Sequence, residues 1–128
     1  GSAEGVAEGM LAVVKPGIFL GEVIKVYQHQ SQIRTLFSPD WELPVRIGDG
    51  KIDSLLVGGF DPVLTLISRK KTVTAGQEVF LAGKKYPYSL LVGAVGERSP
   101  DKEKLFGEAP LVLPYALAEL QEIFILIP

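Results

Sequence analysis

His29 is the only side chain in this 128-residue sequence whose ordinary pKa suits proton transfer near neutrality. A serine-nucleophile mechanism would need it within hydrogen-bond reach of a serine, with a carboxylate orienting the ring. The residue sits in Gln28-His29-Gln30-Ser31-Gln32, a polar stretch that reads as a hairpin turn. No serine has the Gly-Asp-Ser-Gly surroundings of a chymotrypsin-like nucleophile, and Ser89 follows Tyr88 and precedes an apolar run. His29 is therefore read as a solvated loop histidine. The carboxylates of Asp101, Glu103 and Glu108 flank Lys102 and Lys104, an interleaving expected on a solvated hairpin tip. A glycosidase-type acid/base pair would instead need two carboxylates in contrasting environments. The sequence has no cysteine, which removes disulfides, thiolate zinc sites and a cysteine nucleophile. With a single histidine, no His-rich metal site can form. No catalytic residue, metal or cofactor is expected.

Two basic clusters, Arg69-Lys70-Lys71 and Lys84-Lys85, are the next candidates. The second runs into Tyr86-Pro87-Tyr88, and lysines interleaved with aromatics can form a base-stacking surface. A net charge of −2 and a pI near 5.4 supply no field to hold nucleic acid, so a lysine-solubilised loop is the simpler reading. Protein contact suits those tyrosines better, because Tyr offers contact area at low entropic cost. Trp41 is either a core plug or an exposed anchor, and a lone tryptophan in a barrel is more often core. Trp41, Tyr86 and Tyr88 are the candidate partner-binding residues. The glycine pairs at Gly48-Asp49-Gly50 and Gly58-Gly59 lack the strand–loop–helix setting that cradles phosphate, and read as turns.

The elements that must position these residues are strands. Hydrophobic residues make up 47% and charged residues 22%, ordinary globular usage, and a chain this size buries roughly two-thirds of its unfolded surface. Apolar runs bounded by turn residues fall at Leu11–Val14, Ile18–Tyr27, Gln32–Phe37, Leu43–Ile47, Ile52–Val57, Val63–Ile67, Glu78–Ala82, Leu90–Glu97, Leu111–Leu113 and Ile123–Ile127. In the second run Val23 and Tyr27 share one face, and Glu22, Ile24 and Val26 the other, which suits a curved strand in a small barrel. Gly21 and Gly93, inside strand patterns, mark a bulge, bend or close backbone approach. Pro114–Glu122 is the one fair helix candidate, about two turns long. No apolar run approaches the ~20 residues of a membrane span. Residues 1–10 read as a cloning remnant and linker, so the chain is read as a piece of a longer protein with any targeting segment upstream. Polar residues 69–77 interrupt the strand pattern near its midpoint. The expected architecture is thus all-β: two small packed barrels at 11–68 and 69–128, with terminal strands free to cross between them. One ten-stranded barrel or sandwich is the alternative.

The ordered series of these segments resembles one family. Val14-Lys15-Pro16-Gly17-Ile18-Phe19-Leu20-Gly21-Glu22-Val23-Ile24-Lys25-Val26 resembles the glycine-punctuated opening strand of the MreC rod shape-determining proteins. Ser31-Gln32-Ile33-Arg34-Thr35-Leu36 with Ser38-Pro39, Leu43-Pro44-Val45-Arg46-Ile47 and Leu56-Val57-Gly58-Gly59 follow in that family's order. Val73-Thr74-Ala75-Gly76-Gln77-Glu78-Val79 and Tyr86-Pro87-Tyr88-Ser89-Leu90-Leu91-Val92-Gly93 are similar to its later hairpin. Leu105-Phe106, Val112-Leu113-Pro114 and Ile123-Phe124-Ile125-Leu126 match its tail. Gln77 stands where the family has Asp, Ala82-Gly83 ends a strand that it closes with Thr-Ser-Gly, and Ser89 stands where glycine is common.

The resemblance implies two barrels, chymotrypsin-like in shape and without catalytic residues. It implies a non-enzymatic scaffold of the bacterial elongation machinery on the extracytoplasmic face of the cytoplasmic membrane, anchored by a span upstream. It further implies binding and activation of the rod-complex peptidoglycan transpeptidase, contacts with MreD and RodZ, and self-association into dimers or filaments. A small protease-like hydrolase and an OB-like nucleic-acid module are the competing classes. Loss of peptidase activity in His29→Ala would mark the first, and binding that weakens steeply with salt the second.

Overall fold

Period-two alternation of apolar and polar residues builds most of this molecule, because a strand that alternates can bury one face and wet the other. The computed structural model describes residues 5–49, 51–68, 70–86, 89–97 and 107–127. Ten strands appear: β1 Leu11–Lys15, β2 Ile18–Val26, β3 Ser31–Thr35, β4 Glu42–Ile47, β5 Ile52–Val57, β6 Val63–Thr65, β7 Glu78–Leu81, β8 Leu91–Val95, β9 Ala109–Val112 and β10 Phe124–Ile125. Each lies at a position expected from the sequence, with ends differing by at most two residues. The all-β expectation holds.

Pairing sorts the strands into two groups. In the first, β4 pairs with β5, β5 with β6, β6 with β9, β9 with β8, β8 with β7, and β7 with β4. Six strands thus close into an antiparallel barrel. Along β4 the inward residues Leu43, Val45 and Ile47 are buried and Glu42, Pro44 and Arg46 exposed, the alternation a filled small barrel requires. Pro44 is tolerated because its missing N–H lies beyond the β7 pairing, and its carbonyl still accepts the Ala82 N–H at 2.9 Å. The second group runs β3-β2-β1-β10, with free edges at β3 and β10 among the described residues. Its central strands carry Leu11, Ala12, Val13 and Val14 in succession, all buried, so both faces of this sheet are covered.

The groups meet where Ile18 pairs in parallel with Leu91, and the Leu91 N–H donates to the Gly17 carbonyl at 2.7 Å. The Pro16-Gly17 turn makes this approach feasible, since Gly17 adopts φ +86°, the conformation a Pro-Gly type II turn needs at its second corner. Core side chains Leu11, Val13, Phe19, Leu36 and Trp41 join the barrel's Leu43, Val45, Leu56 and Val79 in one apolar cluster.

Strand pairing runs across residues 69–77: the barrel takes β4–β6 from before them and β7–β9 from after them. The Pro114–Glu122 helix is a single 3-10 turn at Leu117–Glu119, with the Glu119 N–H donating to Ala116 at 3.0 Å. Two turns with Ala116, Ala118 and Glu119 exposed would bury no face, and isolated short helices are marginal. The glycine expectation at Gly21 holds: a Cβ there would run into the Arg34 carbonyl oxygen on β3.

Candidate functional site

His29 is exposed at the tip of the β2–β3 hairpin, where the Tyr27 N–H donates to the Gln30 carbonyl at 2.7 Å. The expected hairpin turn is there. Among the described hydrogen bonds none joins His29 to a serine or carboxylate. The charged run Asp101–Lys104 lies outside the described residues, as do Arg69 and Tyr88. Trp41 and Tyr86 are 7% and 8% exposed and belong to the core. Neither can present its ring as an exposed anchor.

What these two rings do is support a charge cluster that the sequence did not single out. Glu22 on β2 stands opposite Leu11 on one side and Arg34 on the other. Directly opposed residues share a sheet face, so Glu22 shares the face that Leu11 commits to the core. Its side chain is only 5% exposed, and its carboxylate meets Lys85 Nζ at 3.1 Å and Arg34 Nη2 at 3.8 Å. Lys85 comes from the β7–β8 loop, so the ion pair crosses from the open sheet to the barrel. The Arg34 guanidinium lies 4.4 Å from the centre of the Trp41 ring, and that ring tilts against Phe19 at 6.2 Å. Burial holds the Tyr86 phenol above its ordinary pKa, reinforced by the nearby Glu22 charge. Glu22 Oε2 and Arg34 Nε have no hydrogen-bond partner among the described residues. The signal in the sequence was a carboxylate inside an otherwise apolar strand, Leu20-Gly21-Glu22-Val23.

Exposed apolar side chains lie elsewhere, at Phe60, Leu66 and Val112 and in the tail at Ile123, Phe124 and Ile127. Phe60 is 91% exposed at the β5–β6 turn. Two hydrogen bonds clamp that turn onto the β3–β4 loop, Gly58 N–H to Trp41 at 2.7 Å and Gly59 N–H to Leu36 at 3.1 Å. Gly58 must be glycine, since a Cβ would sit 2.5 Å from the Ser38 carbonyl oxygen. Phe60 therefore projects beside Phe37 over a groove of about 460 Å³, whose walls include Asp61, Pro62, Pro110 and Tyr115. The Tyr115 hydroxyl donates to the Phe19 carbonyl at 3.1 Å, fixing the ring and tying the tail to β2. Burial raises the Tyr115 pKa strongly, so the hydroxyl keeps its proton.

A closed six-stranded barrel joined to an open four-stranded sheet along an ion-paired seam places the molecule among all-β barrel domains. The chain belongs to the MreC family: the model of the rod shape-determining protein MreC, barrel core, matches residues 1–127. Solved structures agree in fold. A protein described as MreC superposes with a TM-score of 0.84 at 17% identity, covering 98% of this chain and 73% of that one. The major periplasmic domain from the cell shape-determining filament MreC gives 0.67 at 21% identity, with 90% and 74% covered. A complex between Penicillin-Binding Protein (PBP2) and MreC from Helicobacter pylori gives 0.68 at 15% identity, with 94% and 79% covered. No curated protein matches the chain.

Proposed function

We propose that this domain is a non-enzymatic scaffold of the bacterial rod complex that binds and activates a peptidoglycan transpeptidase. The observation that carries the reading is the likeness to a family member solved in complex with PBP2, a penicillin-binding protein. The likeness to a major periplasmic domain supports a place on the extracytoplasmic face of the membrane, below an upstream anchor. Activation by binding requires higher affinity for the active than for the resting transpeptidase, since a ligand shifts a population only by that difference. MreD and RodZ are the further partners that the family suggests.

The surfaces available for contact differ from those the sequence favoured. Trp41 and Tyr86 act from beneath, by holding Arg34 and Lys85 around Glu22 at the surface of the seam. Exposed rings at Phe60, Tyr27 and Phe124 supply apolar contact area. The edges of β3 and β10, unpaired among the described residues, offer backbone groups for self-association, the usual consequence of an uncovered strand edge.

The test is a binding titration against the membrane-proximal region of the rod-complex transpeptidase, with the domain shown to be folded. Saturable binding at micromolar concentrations, with faster glycan-strand cross-linking, is the expected result. No binding at tens of micromolar overturns the proposal. In the same assays His29→Ala leaves every readout unchanged, and a peptidase activity lost in that variant would establish the hydrolase instead.

A further inference from the structure

We propose that the groove between Phe60 and Tyr115 docks an extended, proline-containing segment of a partner protein that carries a basic residue. The walls are rings: Phe37, Phe60 and Tyr115 are aromatic, and Pro62 and Pro110 are pyrrolidines. Phe60 lies 91% exposed in a turn that the Gly58 and Gly59 hydrogen bonds clamp to the β3–β4 loop, so the ring is presented before any ligand arrives. A nearly bare phenylalanine on a preformed turn, rimming a concave surface walled by two further aromatic rings and two prolines, is the arrangement of a contact site.

The topology says what kind of backbone can enter. β6 is paired on both sides, by β5 and β9, and β9 is paired by β6 and β8. Neither strand under the groove has a free ladder of N–H and C=O groups, so strand addition cannot happen there. The Tyr115 hydroxyl already donates to Phe19, and prolines give the walls no N–H. A ligand must therefore bring a backbone that needs no ladder. Polyproline II is such a backbone: its carbonyls stay solvated, and its pyrrolidine faces stack on aromatic rings. It also arrives pre-ordered, which lowers the entropy lost on binding.

Charge selects the rest. Asp61 is exposed and is the one ionisable carboxylate among the groove's lining residues, with no described cation paired to it. An arginine or lysine flanking the prolines meets it at the groove's rim. A second copy of this chain is the weaker occupant, because the edges free among the described residues are at β3 and β10 and do not line the groove.

This inference rests on the reading of the domain as a binding scaffold, and its test is separate from the transpeptidase titration. The 128-residue chain is labelled with 15N and titrated with a seven-residue proline-rich peptide ending in arginine. Saturable amide shifts at Phe37, Phe60, Asp61, Leu113 and Tyr115 are the expected result. Phe60→Ala weakens binding by about tenfold or more, as loss of an interface anchor does. Asp61→Asn weakens the arginine peptide by about threefold and leaves an alanine-ended counterpart unchanged, in line with an exposed ion pair. Both positions are exposed, so the unfolding midpoint of each variant stays at the parent value. No saturable shift, equal affinity in Phe60→Ala, or tighter binding of an equally apolar amphipathic helix overturns the inference. Loss of peptide binding with transpeptidase binding intact rejects the groove alone, and the reverse rejects the transpeptidase alone.

Discussion

The closed barrel and the open sheet solve the same problem in opposite ways. In the barrel every strand is paired on both sides, and the interior is filled by one residue in two along β4, β5 and β7. Edges are abolished, and the outward face is left to charged residues such as Glu42, Arg46 and Asp53. In the open sheet β1 and β2 are buried over consecutive residues, and the free edges are pushed out to β3 and β10. Such a sheet cannot be stable alone, because burial of both faces depends on what packs against it. Its barrel-facing side even carries a buried carboxylate, Glu22, matched by Lys85 from across the seam. The barrel is thus held by its own core, and the sheet is held by the barrel.

Substitutions can break this contrast or sharpen it. Leu56→Ala empties a fully buried site in the barrel and should cost about 2–5 kcal/mol, lowering the stability of both groups together in chemical denaturation. If the sheet melted separately, its dependence on the barrel would be wrong. Gly21→Ala drives a methyl into the Arg34 carbonyl between β2 and β3. It should cost about 1–3 kcal/mol, with hydrogen exchange accelerated in β3 well before β4 or β5. Glu22→Gln removes the charge that Lys85 and Arg34 share. Those partners are 64% and 39% exposed, so solvent screening reduces the loss to about 1–2 kcal/mol, and Lys85→Met in that background should add little in a double-mutant cycle.

The tail offers a pH test. The Tyr115 phenol has a folded pKa raised above its unfolded value of 10.0 by burial. A raised folded pKa contributes stability that is complete below the unfolded pKa and is lost as pH climbs toward the folded one. Stability should therefore fall above about pH 10, and Tyr115→Phe should flatten that fall. At neutral pH the same variant loses the bond to Phe19 and about 1 kcal/mol, read as a shift in the denaturation midpoint. The smallest effect belongs to the barrel's outer face. Asp53→Asn breaks a pair whose side chains are 54% and 88% exposed, and should change stability by less than ~0.5 kcal/mol.

Local chemistry made much of this legible. The strands were visible because alternation, β-branched runs and Gly/Pro punctuation are local properties, and the segments from Leu11 to Ile125 fall where those signals put them. The close approach at Gly21 was legible for the same reason: a glycine inside a strand leaves room that only a neighbouring backbone explains. Trp41 and Tyr86, both candidates for partner contact, lie in the core. Next to Tyr86, Lys84-Lys85 suggested a wet loop, yet Lys85 turns its ammonium to Glu22, and Tyr86 follows it under the seam. The Pro114–Glu122 helix was overestimated because propensity ignores whether a face finds a partner.

By itself, then, the sequence determined the all-β class and the ten strand positions. The tertiary structure decided which strands close on one another, because ladders between β6 and β9 or between β4 and β7 join residues far apart in the chain. It also decided which aromatic rings are exposed. Burial is a property of what packs over a residue, so Trp41 and Tyr86 went to the core and Phe60, in an inconspicuous Gly-Gly-Phe-Asp-Pro turn, went to the rim of the groove.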